Sequence, residues 1–304
     1  MNFSTAKNEI MHLLSRVDVK ELPKVIKWIK TSGELDDCFN DNEKIILRGI
    51  AKDLRVCLPM EAMFSSESFA IQKAQQNPLP LVHVDAFLYD EDTVDVLCEE
   101  GKMSRYYCLH CGSHRTAPLE FISHSFSTGE LKYIFRHVLP DLTGQMVVDV
   151  GSRLGAVLYG GYLYSSAAKL FGVEINAEFI DLQKMVIQKY GFGDRVEVIH
   201  ADICSQVNLL QNADVVVMNN VFEYFLELHE QIRAWQCIRH NVRKKGALLV
   251  TVPSIKESLT TLQGKKDSVD IHQWVEELPV NYNLYMGKDG DPDAFKDIHL
   301  YRIL

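Results

Sequence analysis

The sequence predicts an α/β fold built on a doubly wound, mostly parallel sheet. From residue 118 to the end, short apolar runs alternate with amphipathic segments, which is the pattern of strands covered by helices on both faces. The first run is followed at once by closely spaced glycines, as at a turn from a strand into a helix. The seven expected strands are Met146–Val150, Leu170–Glu174, Val196–His200, Val215–Met218, Leu248–Val252, Tyr282–Met286 and Ile298–Ile303, with a helix at Ile271–Leu278 between the fifth and the sixth.

Residues 1–78 are predicted to form an N-terminal helical region. Apolar residues recur at helical spacing from Ile10 to Val17, from Val25 to Ile29, and again after Asn40-Asp41. Such stripes are more typical of the core of a small helical bundle than of a binding surface. The Asn-Pro-Leu-Pro segment at 77–80 interrupts the helical pattern and marks a boundary.

Residues 79–117 are predicted to form a β-hairpin connector, and residues 118–304 the main α/β domain. Short β-like runs replace the helical period in the connector, and Glu100-Gly101 is expected to turn the last pair of strands. The expected strands are Val82–Leu88, Thr93–Cys98 and Met103–Cys108.

The connector also contains a Cys-x-x-Cys pair, Cys108 and Cys111. This spacing is half of a zinc-binding pattern, and a structural zinc site takes four ligands, usually from two such pairs. The sequence contains no second Cys-x-x-Cys, and the other nearby candidate ligands are Cys98, His110, His114 and His124. We therefore favour a free or vestigial pair and no metal site, with zinc binding as the alternative.

Composition and charge restrict the partners. The formal net charge is -9, so the average surface repels nucleic acid, and the basic clusters Arg239–Lys245 and Lys265–Lys266 are short. No run of about 18 apolar residues predicts a membrane span. The cysteines are scattered and the N-terminus lacks a secretory pattern, so we expect an intracellular protein, cytoplasmic or nuclear.

The most informative segment begins at Met146 and reads Met-Val-Val-Asp-Val-Gly-Ser-Arg-Leu-Gly-Ala-Val. An apolar strand ends on Asp149, and Gly151 and Gly155 follow before a helix. Glycine at such positions lets the backbone approach a ligand and adopt positive φ angles. The segment alone is also compatible with an ordinary strand–turn–helix.

Two later strand ends add residues suited to a nucleoside. Glu174 ends the second strand, about 20 residues after the glycines, where a carboxylate suits ribose hydroxyls. The third strand ends at Asp202-Ile203, which offers a carboxylate for an adenine amine and an apolar side chain for the ring. The sequence therefore predicts a nucleoside-binding crevice above the sheet.

The fourth strand runs into a polar and aromatic segment, Asn219-Asn-Val-Phe222-Glu223-Tyr224-Phe225. Because ligands bind outside the carboxyl ends of parallel strands, these amides and rings are expected to face the same crevice.

Together these motifs resemble class I S-adenosylmethionine-dependent methyltransferases over about residues 120–304. Within that superfamily the chain is most similar to Dot1-type protein lysine methyltransferases. The similar segments are Asp149-Val-Gly-Ser-x-x-Gly155-x-Val, Gly172-Val-Glu174, Val217-Met-Asn219-Asn220, and Ser123-His-Ser-Phe126, which stands where Dot1 has a Thr-Ser-Phe loop over the cofactor. The resemblance implies a seven-stranded, Rossmann-like methyltransferase sheet and S-adenosylmethionine as cofactor.

The resemblance also implies roles for individual residues. Asn219 would border the channel that delivers the substrate nitrogen, with Phe222, Glu223 and Tyr224 as further catalytic candidates. The aromatic rings would wall the channel and attract a cation, and Glu223 would accept a proton or hold a cation, or else only cap the following helix. The implied cofactor-binding residues are Asp149, Gly151 and Gly155 for the amino-acid portion, Glu174 for the ribose, and Asp202 with Ile203 for the adenine, while Asn219 borders the cofactor as well.

Two departures from the family pattern leave alternatives open. Arg153 stands where the family usually has glycine, and Val-Phe-Glu-Tyr replaces the aromatic-rich run of Dot1. We favour a methyltransferase acting on a nitrogen of a protein side chain. The alternatives are an RNA or small-molecule methyltransferase and a catalytically silent scaffold. An NAD-dependent oxidoreductase ranks last, because the Gly-x-Gly-x-x-Gly turn is missing.

Overall fold

A computed structural model of the chain describes residues 3–31, 33–76, 79–111, 113–260, 262, 271–282 and 295–304. The chain divides into two compact units, Met1–Ile46 and Leu47–Leu304. The predicted division at residues 78 and 117 stays a prediction, because no observation tests whether those segments fold independently. Among the described helices, none combines the length and the apolar character that crossing a bilayer requires.

Helices occupy the N-terminal part and alternate with strands later. The helices are α1 (Phe3–Ser15), α2 (Leu22–Thr31), α3 (Gly33–Cys57), α4 (Ser68–Gln76), α5 (Glu91–Glu99), α6 (Thr128–Tyr133), α7 (Ala156–Tyr164), α8 (Ala177–Tyr190), α9 (Val207–Asn212), α10 (Leu228–Asn241) and α11 (Ile255–Thr260). The strands are β1 (Leu81–His83), β2 (Tyr106–Cys108), β3 (Thr116–Pro118), β4 (Glu120–Ile122), β5 (Met146–Val150), β6 (Lys169–Glu174), β7 (Val196–His200), β8 (Val215–Asn219), β9 (Leu248–Val252), β10 (Val275–Leu278) and β11 (His299–Ile303).

The central sheet has seven strands in the order β10-β11-β9-β8-β5-β6-β7. Strands β5 to β9 are parallel, whereas β11 pairs antiparallel with β9 and β10 antiparallel with β11. The chain proceeds outward from β5 to β7 and then returns to β8 on the other side of β5. This reversal opens a crevice at the carboxyl ends of the strands, which is where such sheets bind ligands. The predicted α/β fold class is confirmed.

The core explains why the central strands were predictable. Strand β8 buries Val215, Val216 and Val217 completely, and β5 buries Val147 and Val148 completely. A parallel strand covered on both faces needs such a continuous run of apolar, β-branched residues. The sequence therefore determines both the position and the burial of the strands that carry the crevice.

The prediction that Thr93–Cys98 is a strand is wrong, because these residues lie in α5. Asp90 caps this helix by accepting a hydrogen bond from the backbone N–H of Thr93 at 3.1 Å. Two acidic residues in the first turn, Glu91 and Asp92, favour the helix further through its dipole. The capping signal outweighs the alternation of apolar residues.

A small β-hairpin is present, but its strands differ from those predicted. Strand β2 lies in the predicted strand Met103–Cys108 and pairs antiparallel with β3. Of the predicted strand Val82–Leu88, only the beginning is extended, in β1, which pairs parallel with β4. The expected partner of β2 is absent because that segment forms α5.

The C-terminal region also differs from the prediction of a helix at Ile271–Leu278. Residues Ile271–Gln273 form a single 3₁₀ turn, and the segment then continues as β10, which pairs with β11. All four residues of β10 pair with β11, so tertiary pairing decides the conformation. The predicted strand Tyr282–Met286 lies, after residue 282, outside the described residues.

Candidate active site

A cleft of about 670 Å³ lies above the carboxyl ends of β5 to β8. Six of the predicted site residues line it, and they come from four different strand ends or the segments that follow them. Asp149, Gly155, Glu223 and Tyr224 are not among the lining residues. The predicted residues in the lining are Gly151, Glu174, Asp202, Ile203, Asn219 and Phe222.

Gly151 and Gly155 occupy positions that no larger residue fits. Gly151 has a φ of +68°, and a Cβ there would lie 2.3 Å from Cγ2 of Val221. Gly155 has a φ of +83°, and its Cβ would lie 2.5 Å from the hydroxyl oxygen of Tyr159. The first glycine keeps the cleft open, whereas the second allows α7 to begin against a buried ring.

Glu174 connects the end of β6 to the glycine loop. Its carboxylate accepts hydrogen bonds from the backbone N–H of Arg153 at 2.9 Å and of Asn176 at 2.8 Å. The residue is only 7% exposed, and burial raises the pKa of its carboxyl. The two N–H groups hold the carboxylate at the wall of the cleft, where it can accept hydrogen bonds from a ligand.

Asp149 lies deeper, at the end of β5. It is 4% exposed, and burial together with the nearby carboxylate of Glu174 raises the pKa of Asp149 well above its ordinary value. A carboxyl with a raised pKa keeps its proton more readily than an exposed one. A cationic group bound nearby would act in the opposite direction and favour the ionised form.

The opposite end of the cleft carries Asp202 and Ile203. Asp202 is exposed, and its side chain accepts a hydrogen bond from the backbone N–H of Cys204 at 2.8 Å, which caps a 3₁₀ turn at Ile203–Ser205. The other carboxylate oxygen lies 3.6 Å from the guanidinium of Arg233. Ile203 is 8% exposed and presents an apolar surface beside this carboxylate.

Asn219 ends β8 and lies beside the loop that contains His124. Its amide Nδ2 donates to the backbone carbonyl of His124 at 3.4 Å, and its Oδ1 accepts from the amide of Asn220 at 3.1 Å. Asn220 adopts a left-handed conformation, with a φ of +48°. Strained backbone of this kind is characteristic of functional sites.

The aromatic segment after Asn219 is divided between the cleft and the core. Phe225 lines the cleft, and Phe222 lines it while packing edge-on against Trp235, at 5.7 Å between ring centroids. Tyr224 packs behind the wall, against the ring of His124 at 5.1 Å. Glu223 accepts from the backbone N–H of Phe222 at 3.2 Å, and its Oε1 is buried without a hydrogen bond.

A buried histidine pair adjoins this wall. Nδ1 of His83 and Nε2 of His124 are joined by a hydrogen bond of 3.0 Å. Burial, with the positive charge of Arg153 nearby, lowers the pKa of His124 to about 2, so its ring is neutral at physiological pH. The sequence drew attention to the loop Ser123–Phe126, but it gave no signal for His83, which comes from β1.

Arg153 lies in the glycine loop and extends its side chain away from the loop. Its backbone has a φ of +43°, and its guanidinium pairs with Glu67, at 3.2 Å, and with Asp85, at 3.5 Å. The guanidinium also lies 4.8 Å above the ring of Phe179. Sequence reasoning identified Arg153 as a departure from the family, but it missed both carboxylates.

The pair Cys108 and Cys111 is free and exposed. Across the part of the chain that the structure describes, no group of three or more His, Cys, Asp or Glu side chains could hold a metal ion. These cysteines lie outside the cleft.

Comparison with known proteins identifies the class of the central domain. Residues 148–250, from β5 to β9, match the family model described as a methyltransferase domain. With the doubly wound sheet, this match defines a class I methyltransferase domain, and its cofactor is S-adenosylmethionine. No curated protein matches the chain.

Solved structures are similar to the chain at low sequence identity. A methyltransferase from Geobacter sulfurreducens is 16% identical, with a TM-score of 0.36, over 58% of this chain and 76% of that one. Precorrin 8W decarboxylase from Methanobacterium thermoautotrophicum is 18% identical, with a TM-score of 0.36, over 51% and 77%. An RNA methyltransferase from Salinibacter ruber, in complex with S-adenosylhomocysteine, is 14% identical, with a TM-score of 0.33, over 52% and 78%. The match to a methyltransferase domain concerns residues 148–250, and it leaves the methyl acceptor open.

Proposed function

We propose that this methyltransferase transfers the methyl group to a nitrogen on a protein side chain. The observation that carries the proposal is the position of Asn219, whose amide borders the cleft at the end of β8. Phe222 and Phe225 line the same region of the cleft. An amide beside an apolar, aromatic wall suits a nitrogen nucleophile, which must arrive without its extra proton.

The residues of the cleft fit the cofactor. The volume of about 670 Å³ lies in the range of small-molecule sites, so the Arg153 side chain leaves room for a nucleoside ligand. Gly151 keeps open a space that a Cβ would fill. We assign the ribose to Glu174 and the adenine to Asp202 and Ile203. We assign the amino-acid portion to the loop from Gly151 to Gly155, with Asp149 beneath it.

When bound, S-adenosylmethionine supplies an electrophilic methyl group for in-line displacement, with S-adenosylhomocysteine as the leaving group. The residues assigned above to its ribose, adenine and amino-acid portion would hold it, and the acceptor nitrogen would take the methyl group and release a proton to solvent. Asn219 orients the nitrogen, and the aromatic wall excludes water and favours the neutral amine. The alignment of reactants is the main contribution of the chain.

A protein acceptor is favoured over RNA by charge and by sequence. The net charge of -9 opposes binding to a polyanion. The segment after Asn219 is Asn-Val-Phe, which differs from the Asn-Pro-Pro-Tyr motif used on exocyclic base amines. The resemblance to Dot1-type enzymes supports a protein acceptor, and the loop at His124, which stands where Dot1 has its Thr-Ser-Phe loop, lines the cleft.

Mass spectrometry of the protein, RNA and small-molecule fractions from cells with and without this chain tests the proposal. Cells are labelled with isotopic methyl groups, and cells that express the Asn219→Ala variant provide the matched control. We expect methylated side-chain nitrogens that disappear both without the chain and with the variant. Label that depends on the chain but appears in RNA or in a small molecule would contradict the proposal.

A further inference from the structure

The segment Ala62–Gln76 lies over the cofactor cleft, and we call it the cover segment. Its residues Ser66 to Ala70 line the cleft together with the strand ends. It precedes β5 by about 70 residues of sequence and contains no cofactor motif, so only the fold brings it to the site. The wall opposite the sheet is therefore supplied by the N-terminal part of the compact unit Leu47–Leu304.

Arg153 ties the cover segment to the glycine loop. The guanidinium donates to both carboxylate oxygens of Glu67, from Nε and from Nη2, each at 3.2 Å. Nη2 also donates to the backbone carbonyl of Ala62 at 2.6 Å. The side chains of Arg153 and Glu67 are both 8% exposed, so water does not screen this bidentate pair.

The backbone at both ends of this connection is strained. In the described chain, the non-glycine residues with positive φ are Ala62, Arg153 and Asn220. Two of the three are joined directly by the hydrogen bond between Arg153 and Ala62. A glycine at 153 would adopt its φ of +43° without strain, so the arginine side chain has to be stabilised by what it contacts.

The cover segment also reaches both ends of the site. At the ribose side, Ser66 accepts a hydrogen bond from the amide of Asn176 at 2.8 Å. At the acceptor side, Lys73 donates to the backbone carbonyl of Glu223 at 2.5 Å, and its ammonium lies 5.2 Å from the ring centroid of Tyr224. A shift of the segment would therefore disturb the cofactor wall and the acceptor wall together.

We propose that Arg153 is a positioning residue that holds the cover segment over the site for S-adenosylmethionine, and that Glu67 offsets the positive charge that Arg153 would otherwise present to a cationic ligand in the cleft. This inference rests on the proposed function, in that the cleft must bind the cofactor. It assigns to Arg153 a role that replaces the small loop residue of the family, in place of the alternative interpretation that Arg153 impairs the loop. Without Glu67, the guanidinium would keep only the carboxyl of Asp85 at 3.5 Å, and its remaining positive charge would disfavour the sulfonium.

The charges distinguish this role from a purely structural one. S-adenosylmethionine is cationic at sulfur, whereas S-adenosylhomocysteine is neutral there. Glu67→Gln removes the bidentate anion from Arg153 and leaves it only the carboxyl of Asp85 at 3.5 Å, whose pKa is raised by burial. The variant should therefore lose about ten-fold more affinity for S-adenosylmethionine than for S-adenosylhomocysteine. Arg153→Gly leaves the carboxyls of Glu67 and Asp85 without their cation, so the preference of the variant should shift toward S-adenosylmethionine while both affinities fall about ten-fold or more.

The test combines calorimetry with hydrogen exchange on the full chain. Both ligands are titrated into wild type, Arg153→Gly and Glu67→Gln, and amide exchange of the cover segment is followed without ligand. Arg105→Ala is the matched control, because Arg105 is also held by two carboxylates, Glu91 and Asp95, at 2.7 and 2.8 Å, outside the cleft. We expect exchange in the cover segment to be about ten-fold faster in Arg153→Gly and unchanged in the control.

The outcomes separate the inference from the proposed function. Wild type that binds neither ligand would overturn the proposed function, whatever the exchange shows. If wild type binds tightly, two results would overturn the role of Arg153. One is unchanged or higher affinity in Arg153→Gly, and the other is an equal loss of affinity for both ligands in Glu67→Gln. If Arg153→Gly does not fold, Glu67→Gln alone decides, because it keeps the size of the side chain and changes only its charge.

Discussion

Replacement of Glu174 by alanine should weaken cofactor binding and the loop that carries it. The carboxylate accepts the backbone N–H groups of Arg153 and Asn176, at 2.9 and 2.8 Å, and lines the cleft. Loss of a buried acceptor costs about 1–3 kcal/mol for each donor left without a partner. Relief of the desolvation that raises the pKa of Glu174 offsets part of this cost. We expect Glu174→Ala to lose about 1–4 kcal/mol of unfolding free energy.

The ligand should lose a further acceptor, because the ribose hydroxyls are assigned to the same carboxylate. We expect the affinity for S-adenosylhomocysteine to fall by about 1–3 kcal/mol, which is roughly 5- to 150-fold. Calorimetry at a temperature where the variant is fully folded measures this change, and thermal unfolding measures the stability. Glu197→Ala is the control, since Glu197 is exposed on the neighbouring strand β7 and lies outside the cleft. Intact affinity in folded Glu174→Ala would refute the assigned ribose site.

Three further predictions concern the loop, the acceptor side and the histidine pair. Gly151→Ala should weaken binding of S-adenosylhomocysteine by at least about ten-fold, because its Cβ would lie 2.3 Å from Val221. The control is Gly101→Ala, which has a φ of +69° but open space around it and should lose only stability. Equal affinity in the two variants would contradict this prediction. Asn219→Ala should lower turnover about 10²-fold, about 2.7 kcal/mol, with little change in cofactor affinity, and unchanged turnover on an established acceptor would remove Asn219 from the site. The pKa of His124 falls from 6.5 to about 2 on folding, so its contribution to stability is complete above pH 6.5 and declines by about 1.4 kcal/mol per pH unit below it. Denaturant unfolding measures the unfolding free energy of wild type and of His124→Phe at several pH values. Between pH 6.5 and pH 5 this free energy should fall more steeply with decreasing pH in wild type than in the variant, and an equal dependence on pH would contradict the buried neutral ring.

The central strands were predictable because their burial leaves a continuous signal in the sequence. Apart from Asp149, the runs Met146–Val150 and Val215–Met218 are apolar and rich in β-branched valine, and local sequence and tertiary environment agree there. The prediction from sequence fails where local sequence and tertiary environment disagree. Thr93–Cys98 follows a helix cap at Asp90, and the segment predicted as a helix from Ile271 becomes the strand β10 through pairing with β11.

The candidate site was predictable only in the part that the strand ends determine. Glu174, Asp202 and Asn219 follow parallel strands, so their convergence on one crevice comes from the topology of the sheet. Glu67 and His83 come from segments before the sheet, and nothing in their local sequence indicates where the fold places them. Long-range packing of this kind is determined by the tertiary structure alone.

Cofactor binding by the wild-type chain tests the central claim most directly. Calorimetric titration with S-adenosylhomocysteine should show one site with micromolar affinity, on the order of -7 to -8 kcal/mol. The same heat should disappear when the cleft is first saturated with S-adenosylmethionine, and NAD should not compete. Absence of binding at millimolar S-adenosylhomocysteine, or displacement of it by NAD, would contradict the account.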